Sequence, residues 1–242
     1  MMQIMAFAAF PLYLFGAAWR PLLYAGFAVQ VAYLTARGIG LGRLPLVGVH
    51  DTLNFLSASL IAFSFPLMAE MKDKKQFYFM LSLLAAAFTA FAFVSKPHAM
   101  PLPPVLKTYW FEFHVILSFF SYALFGIAAV LGIIYLKAGR PEEAVPLERI
   151  QYKTVLIGYC LFSLSMIFGG VWAYLAWGTY WLWTPKELWT TILWIFYSFY
   201  LHARLRQAWA GRPSVMLGIA GFAVVLFTYL GVGLLMKSSH TF

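Results

Sequence analysis

The sequence has few charged residues and a single cysteine. Only 10% of its 242 residues are charged and 63% are hydrophobic, whereas about a quarter of the residues in a soluble domain are charged. The composition therefore predicts an integral membrane protein without room for a separate soluble domain. The single cysteine, Cys160, lies inside an apolar run, which excludes an internal disulfide and a CxxC redox pair.

Runs of basic residues interleaved with solvent-facing aromatics are also missing, although the net charge is +9. Nucleic-acid binding requires such runs, so no nucleic acid is expected as a partner. The N-terminal stretch MMQIMAFAAFPLYLF lacks the basic segment and the cleavage site of a secretory signal. We therefore expect it to form the first span.

Charged residues and helix breakers divide the chain into eight apolar blocks, which predict an all-α polytopic membrane helix bundle of about eight transmembrane helices. The blocks cover approximately residues 3–19, 21–36, 51–69, 76–94, 114–136, 154–174, 187–203 and 214–236. The whole chain, 1–242, is expected to form a single integral membrane domain within the lipid bilayer.

The distribution of positive charge predicts the orientation. If all eight blocks span, eleven of the 17 Lys and Arg residues lie in loops on one side, and an excess of these residues marks the cytoplasmic side. Both termini then face the outer, periplasmic side. A tryptophan-rich loop at about 171–186 faces the same side.

Tryptophan is concentrated in and around that loop, which contains the stretch WGTYWLWTPKELW. Such rings either anchor a protein at the membrane interface as a diffuse belt or form a stacking surface for a flat ligand. Their concentration in one segment favours the stacking surface. Gly169 and Gly170 are expected to end the sixth span, and Gly178 to let the chain turn. The tryptophans are Trp172, Trp177, Trp181, Trp183 and Trp189.

The residues Thr184, Pro185, Lys186 and Glu187 form a T-x-x-E pattern that predicts the start of the seventh helix. Thr184 would be the N-cap residue and Glu187 would reach back to it. A helix N-terminus and the amine of Lys186 both favour an anionic group. A flat apolar molecule with carboxylates fits this surface, and haem with its propionates is the obvious candidate.

Two histidines are predicted to lie at the level of this loop. His114 comes where the fifth span begins, and His240 comes a few residues after the eighth. Imidazole is a common axial ligand of haem iron. Each histidine alone would be an ordinary interfacial residue, but the shared depth makes both candidate iron ligands. His98 is expected to be a solvated loop residue.

His202 is a third candidate, because it lies about 15 residues into the seventh span, or roughly 22 Å from its outer end. It belongs to a stripe of polar side chains at helical spacing. Such a stripe must face protein or a cavity, although His202 could also extend to the cytoplasmic face. His50, beside Asp51, is a minor candidate, and Asp51 would orient it or cap its helix. The stripe consists of Glu187, Thr191, Trp194, Ser198 and His202.

Four segments resemble the CcsA-type (ResC-type) membrane subunit of the system II cytochrome c synthase, one of the haem-handling proteins with a tryptophan-rich outer loop. They are PLVGVHDTLNFLS, PPVLKTYWFEFHV, WGTYWLWTPKELW followed by FYLHARL, and LGVGLLMKSSHTF. The resemblance implies that the loop holds haem b on the outer side, with bis-histidine ligation by His114 and His240. It also implies that His202 is associated with haem inside the membrane.

The resemblance further implies a CcsB/ResB-type partner subunit and delivery of haem to the CxxCH motif of apocytochrome c. The chain would then be a subunit of a haem lyase that is active only with its partner, and no side chain is a candidate catalytic nucleophile. The membrane would be the bacterial cytoplasmic membrane, or the thylakoid membrane if the protein is plastid-encoded.

The sequence departs from the family pattern in three places. Thr184 replaces an aspartate, the first segment has His50, Asp51 and Thr52 in place of Tyr-Glu-Ser, and the final segment lacks the Gly-Leu-His-Ser-Tyr form. These differences keep a second hypothesis open: a haem-binding subunit of a redox or haem-regulatory complex without synthase activity. A transporter would need inverted repeats or broken helices near the midplane, and neither is clear.

Overall fold

The computed structural model describes residues 2–70, 75–97 and 101–235, and every regular element in these ranges is helical. Short 3₁₀ turns lie at Pro104–Leu106 and Gln207–Trp209, and a π-helical turn at Phe227–Gly231 joins the last two helices. The helices are α1 Met2–Gly16, α2 Arg20–Leu41, α3 Val49–Glu70, α4 Lys75–Ala92, α5 Tyr109–Lys137, α6 Pro141–Trp177, α7 Pro185–Arg204, α8 Arg212–Leu226 and α9 Val232–Leu235.

The predicted all-α membrane bundle is confirmed, and each of the eight apolar blocks coincides with a helix. Within the described ranges, five helical segments are long and apolar enough to cross a membrane: α2, α4, α5, α6 and α8 with its π-helical turn. α1 is apolar but only 15 residues long, and α7 carries the polar stripe. The side of the membrane on which each terminus lies stays a prediction.

The chain divides into two compact units, Met1–Pro101 and Leu102–Phe242. In the first unit, α1 and α3 each pack against both α2 and α4. In the second unit, α5 and α7 each pack against both α6 and α8. Each unit is thus a ring of four helices joined in chain order by short connections. A single haem-handling domain over residues 1–242 stays a prediction.

The predicted end of the sixth span at Gly169 and Gly170 is wrong. α6 runs through both glycines to Trp177 and ends at Gly178, whose φ of 75° is left-handed. The predicted loop of about 171–186 is therefore helical at both ends, and only residues 178–184 are non-helical. Glycine inside a membrane helix does not stop it when a neighbouring group packs against the backbone, as His114 does at Gly169.

The predicted start of α7 is confirmed, including its capping box. The Thr184 hydroxyl accepts a hydrogen bond from the Glu187 amide at 3.3 Å, and the Glu187 carboxylate accepts one from the Thr184 amide at 3.0 Å. The same carboxylate oxygen accepts the Leu182 amide at 2.9 Å. Glu187 therefore fixes both the start of the helix and the loop that leads into it.

Candidate functional site

The imidazole of His114 is held against α6 by Ser165. Its Nδ1 lies 2.9 Å from the Ser165 carbonyl oxygen and 3.1 Å from the Ser165 hydroxyl. That hydroxyl donates to the His114 carbonyl at 2.8 Å. Because a carbonyl oxygen only accepts, this geometry assigns the proton to Nδ1 and leaves the lone pair on Nε2. Metal-binding histidines are commonly oriented in this way.

Gly169 allows this close approach between the ring and α6. A Cβ atom at position 169 would lie 2.6 Å from Nδ1 of His114, well inside van der Waals contact. Any side chain here would displace the imidazole. Gly169 is therefore a positioning residue for His114, and sequence analysis interpreted it only as a helix end.

Trp172 and Trp177 extend the surface that His114 begins. The His114 and Trp172 rings are nearly parallel, at 13° with centroids 6.4 Å apart, and Trp177 meets Trp172 edge-on at 4.8 Å. Trp172 is 5% exposed, and its indole N–H donates to the Val105 carbonyl at 2.8 Å. The predicted meeting of His114 with part of the tryptophan cluster is thus present in the structure.

The other tryptophans have different positions. Trp181 is half-buried in the non-helical loop, and Trp189 packs on Phe227 of the π-helical turn at 4.4 Å. Trp183 is 70% exposed and has a φ of 58°. That conformation costs a non-glycine residue about 1–2 kcal/mol. An exposed indole in a strained backbone conformation suggests a functional constraint.

Lys186 lies in the first turn of α7, and its side chain is exposed. Its neighbour Glu187 is buried and occupied by the capping contacts, which leaves Lys186 as the exposed charged residue in the first turn of α7. With the positive end of the α7 dipole, the Lys186 amine favours an anionic group. His240, predicted as the partner ligand of His114, lies outside the described residues, as does His98.

The middle of the polar stripe of α7 contacts α6, in agreement with the prediction that the stripe faces protein. The Trp194 indole N–H donates to the Ser163 hydroxyl at 2.9 Å, and the hydroxyls of Tyr159 and Ser198 lie 2.8 Å apart. The Tyr159 and Trp194 rings stack at 5.6 Å. His202 ends the stripe and is exposed, with Nδ1 2.9 Å from the Ser198 carbonyl. Within the described part of the chain, no hydrogen bond reaches its Nε2.

An ion pair fixes α7 directly after His202. Arg204 Nε lies 3.1 Å from a Glu148 carboxylate oxygen, which also accepts the Gly211 amide at 2.8 Å. Glu148 thus joins the end of α7 to the start of α8. The ring of His202 is bonded one turn back along its own helix, which fixes its orientation relative to α7.

His50 is not available as an iron ligand in this structure. It is 5% exposed, and its two ring nitrogens lie 2.9 Å from the Tyr33 hydroxyl and 2.9 Å from the Ala92 carbonyl. Asp51 does not orient it, contrary to expectation. Both carboxylate oxygens of Asp51 bind the guanidinium of Arg37. The minor candidate is therefore a structural histidine.

The contacts that hold the candidate ligands were not predicted. Gly158, Ser165 and Gly169 on α6 are small residues at helical spacing, a pattern that indicates close helix packing in membranes. That pattern could have shown where α5 approaches α6. Among the described residues, no group of three or more His, Cys, Asp or Glu converges on a metal site, but haem iron needs only axial ligands.

Residues 46–240 match the protein family described as "Cytochrome C assembly protein". The chain is 32% identical over 217 residues to the cytochrome c biogenesis protein CcsA of Chlamydomonas reinhardtii, covering 83% of this chain but only 61% of that protein. For CcsA of Guillardia theta the identity is 32%, covering 86% of this chain and 80% of the relative. For CcsA of Crocosphaera subtropica it is 30%, covering 97% and 90%.

Proposed function

Because this chain belongs to the cytochrome c assembly protein family, we propose that it handles haem in the membrane and presents it for attachment to apocytochrome c. The observation that carries the proposal is the geometry of His114. Its ring is oriented through Nδ1 by Ser165 and lies beside Trp172. An imidazole with a fixed tautomer next to flat aromatic rings is suited to bind the iron and stack on the porphyrin.

In this proposal His114 and His240 bind the iron of haem b as axial ligands on the outer side. Trp172, Trp177, Trp181 and Trp183 contact the porphyrin, and the amine of Lys186, in the first turn of α7, attracts a propionate. His202 binds haem at an earlier stage, inside the membrane. Its fixed Nδ1 and its exposed position support this role.

The chemistry of attachment belongs to haem and to its acceptor. Each cysteine S–H of a CxxCH motif adds across a haem vinyl group, which forms a thioether without any other reactant. The protein binds and orients the haem while a CcsB/ResB-type subunit completes the complex. The bacterial cytoplasmic membrane or the thylakoid membrane would be the site of this reaction.

The absorption spectrum of the purified protein tests the ligand assignment. We expect His114→Gly to lose the low-spin spectrum of six-coordinate haem and added imidazole to restore it, because imidazole can occupy the vacated position. His98→Gly is the matched control and should leave the spectrum unchanged. A low-spin spectrum that persists in His114→Gly without imidazole contradicts the assignment.

Thr184 in place of the family's aspartate supports the second candidate, a haem-binding subunit of a redox or haem-regulatory complex without synthase activity. The hydroxyl keeps the capping contact, but a negative charge beside the loop is lost. Co-expression with a CcsB-type subunit and a CxxCH apocytochrome separates the two candidates. Covalent haem on the apocytochrome supports the synthase, and bound haem without any covalent product supports the second candidate.

A further inference from the structure

The turn between α2 and α3 contains a buried guanidinium without a partner. Within the described residues, Nη1 and Nη2 of Arg43 are both buried and have no hydrogen-bond partner. An arginine side chain stays protonated in proteins, and buried charges in native structures are normally paired. Among the residues that the structure describes, the two Nη atoms of Arg43 therefore have no anion to bind.

The nearest carboxylate cannot supply it. Asp51 is fully buried, and its two oxygens bind Nε and Nη2 of Arg37, the second at 2.8 Å. Burial lowers the pKa of the Arg43 guanidinium, the attraction of Asp51 opposes this shift, and the repulsion of Arg37 adds to it. Two cations thus share one anion in this part of the first unit.

Exposed apolar side chains and glycines without close neighbours flank Arg43 in the chain. Ile39 is 78% exposed and Leu44 is 47% exposed. A Cβ atom at Gly40 or Gly42 would meet nothing within 4 Å. Arg43 as a residue is only half-buried, although its two Nη atoms are buried, so a ligand at the surface would meet them after the end of the side chain turns outward. The turn therefore combines an uncompensated cation with exposed aliphatic side chains at the end of a helix able to span the membrane.

We propose that this turn binds the phosphate group of an anionic membrane lipid. The planar guanidinium of Arg43 matches two oxygens of a phosphate, and charge-assisted pairs of this kind are among the strongest hydrogen bonds in proteins. Ile39 and Leu44 lie beside it, where lipid acyl chains would contact them.

Thermal unfolding of the full chain in uncharged detergent tests the proposal, with Arg43→Gln as the variant and Lys96→Gln as the control. Lys96 is an exposed cation in the same unit. Phosphatidylglycerol should raise the Tm of the wild type and of Lys96→Gln more than phosphatidylcholine does, but not that of Arg43→Gln. Without lipid, Arg43→Gln should be at least as stable as the wild type, because it removes an unpaired buried charge.

Native mass spectrometry gives a direct second measurement. The wild type should retain phosphatidylglycerol about tenfold better than Arg43→Gln, the loss expected for one charge-assisted contact. An equal rise in Tm with millimolar inorganic phosphate would show that the site takes a free oxyanion and would overturn the lipid as its occupant. Destabilisation of Arg43→Gln already in lipid-free detergent would show that Arg43 has a protein partner and would also overturn the proposal.

Discussion

Replacing Gly169 by alanine should displace the imidazole of His114. The new methyl group would lie 2.6 Å from Nδ1, whereas ordinary contacts begin at 3.4 Å. The ring or the α6 backbone would have to move by about 0.8 Å in a tightly packed region. Such a movement breaks the 2.9 Å contact between Nδ1 and the Ser165 carbonyl.

The expected change in the free energy of unfolding combines three effects. Loss of the hydrogen bond costs about 0.5–1.5 kcal/mol, and forcing a methyl group into a packed contact costs about 1–3 kcal/mol. The higher helix propensity of alanine returns about 1 kcal/mol. We therefore expect Gly169→Ala to lower the free energy of unfolding by about 1–3 kcal/mol.

Gly170→Ala is the matched control for this prediction. A Cβ atom there would lie 3.7 Å from its nearest neighbour, the Tyr180 carbonyl oxygen, which is an ordinary contact. The control should therefore be neutral or more stable by up to about 1 kcal/mol. Unfolding in mixed detergent micelles measures the free energies, and absorbance measures the haem that each variant retains. If the two variants are equally stable and retain equal haem, Gly169 does not position His114.

Three further predictions concern the loop and the first unit, and unfolding in mixed micelles measures each. Thr184→Ala should lower the free energy of unfolding by about 1 kcal/mol through loss of the N-cap, while Thr184→Asp keeps the cap; equal losses would contradict this. Trp183→Gly should raise the free energy of unfolding by about 1 kcal/mol, because it removes strain at positive φ. The same variant should retain less haem. A lower free energy of unfolding would contradict the strain. Arg37→Met and Asp51→Leu should each lower the free energy of unfolding by about 3–5 kcal/mol, because each leaves one buried charge unpaired. The double variant should lose less than the sum of the two. Strict additivity would show that the two side chains do not interact.

The helices and the start of α7 could be predicted because local rules determine them. Long apolar runs between charged loops are helical in a membrane, where each backbone group must be bonded within its own helix. The T-x-x-E pattern at Thr184 specifies a cap through contacts three residues apart. The α7 stripe was predictable for the same reason, since helical spacing alone decides which side chains share a face.

The environment of each histidine could not be predicted, because it depends on contacts between helices distant in sequence. His50 and Asp51 are adjacent, yet His50 binds α2 and the end of α4 while Asp51 binds Arg37. Gly169 was misread for the same reason. Its effect on the backbone of α6 is small, and its role depends on His114, which lies 55 residues earlier in the sequence.

The hydrogen bonding of the histidines distinguishes the two candidate ligands from the structural histidine better than their depth does. In His50 both nitrogens are occupied, so iron binding would require the loss of a contact with the Tyr33 hydroxyl or the Ala92 carbonyl. In His114 and His202 the Nδ1 atom bonds a backbone carbonyl, which leaves the lone pair on Nε2. These carbonyls belong to the backbone of Ser165 and Ser198, so changing either side chain does not remove them. The orientation of the two candidate ligands should therefore survive substitution of Ser165 or Ser198. Only changes that crowd the imidazole ring should abolish it.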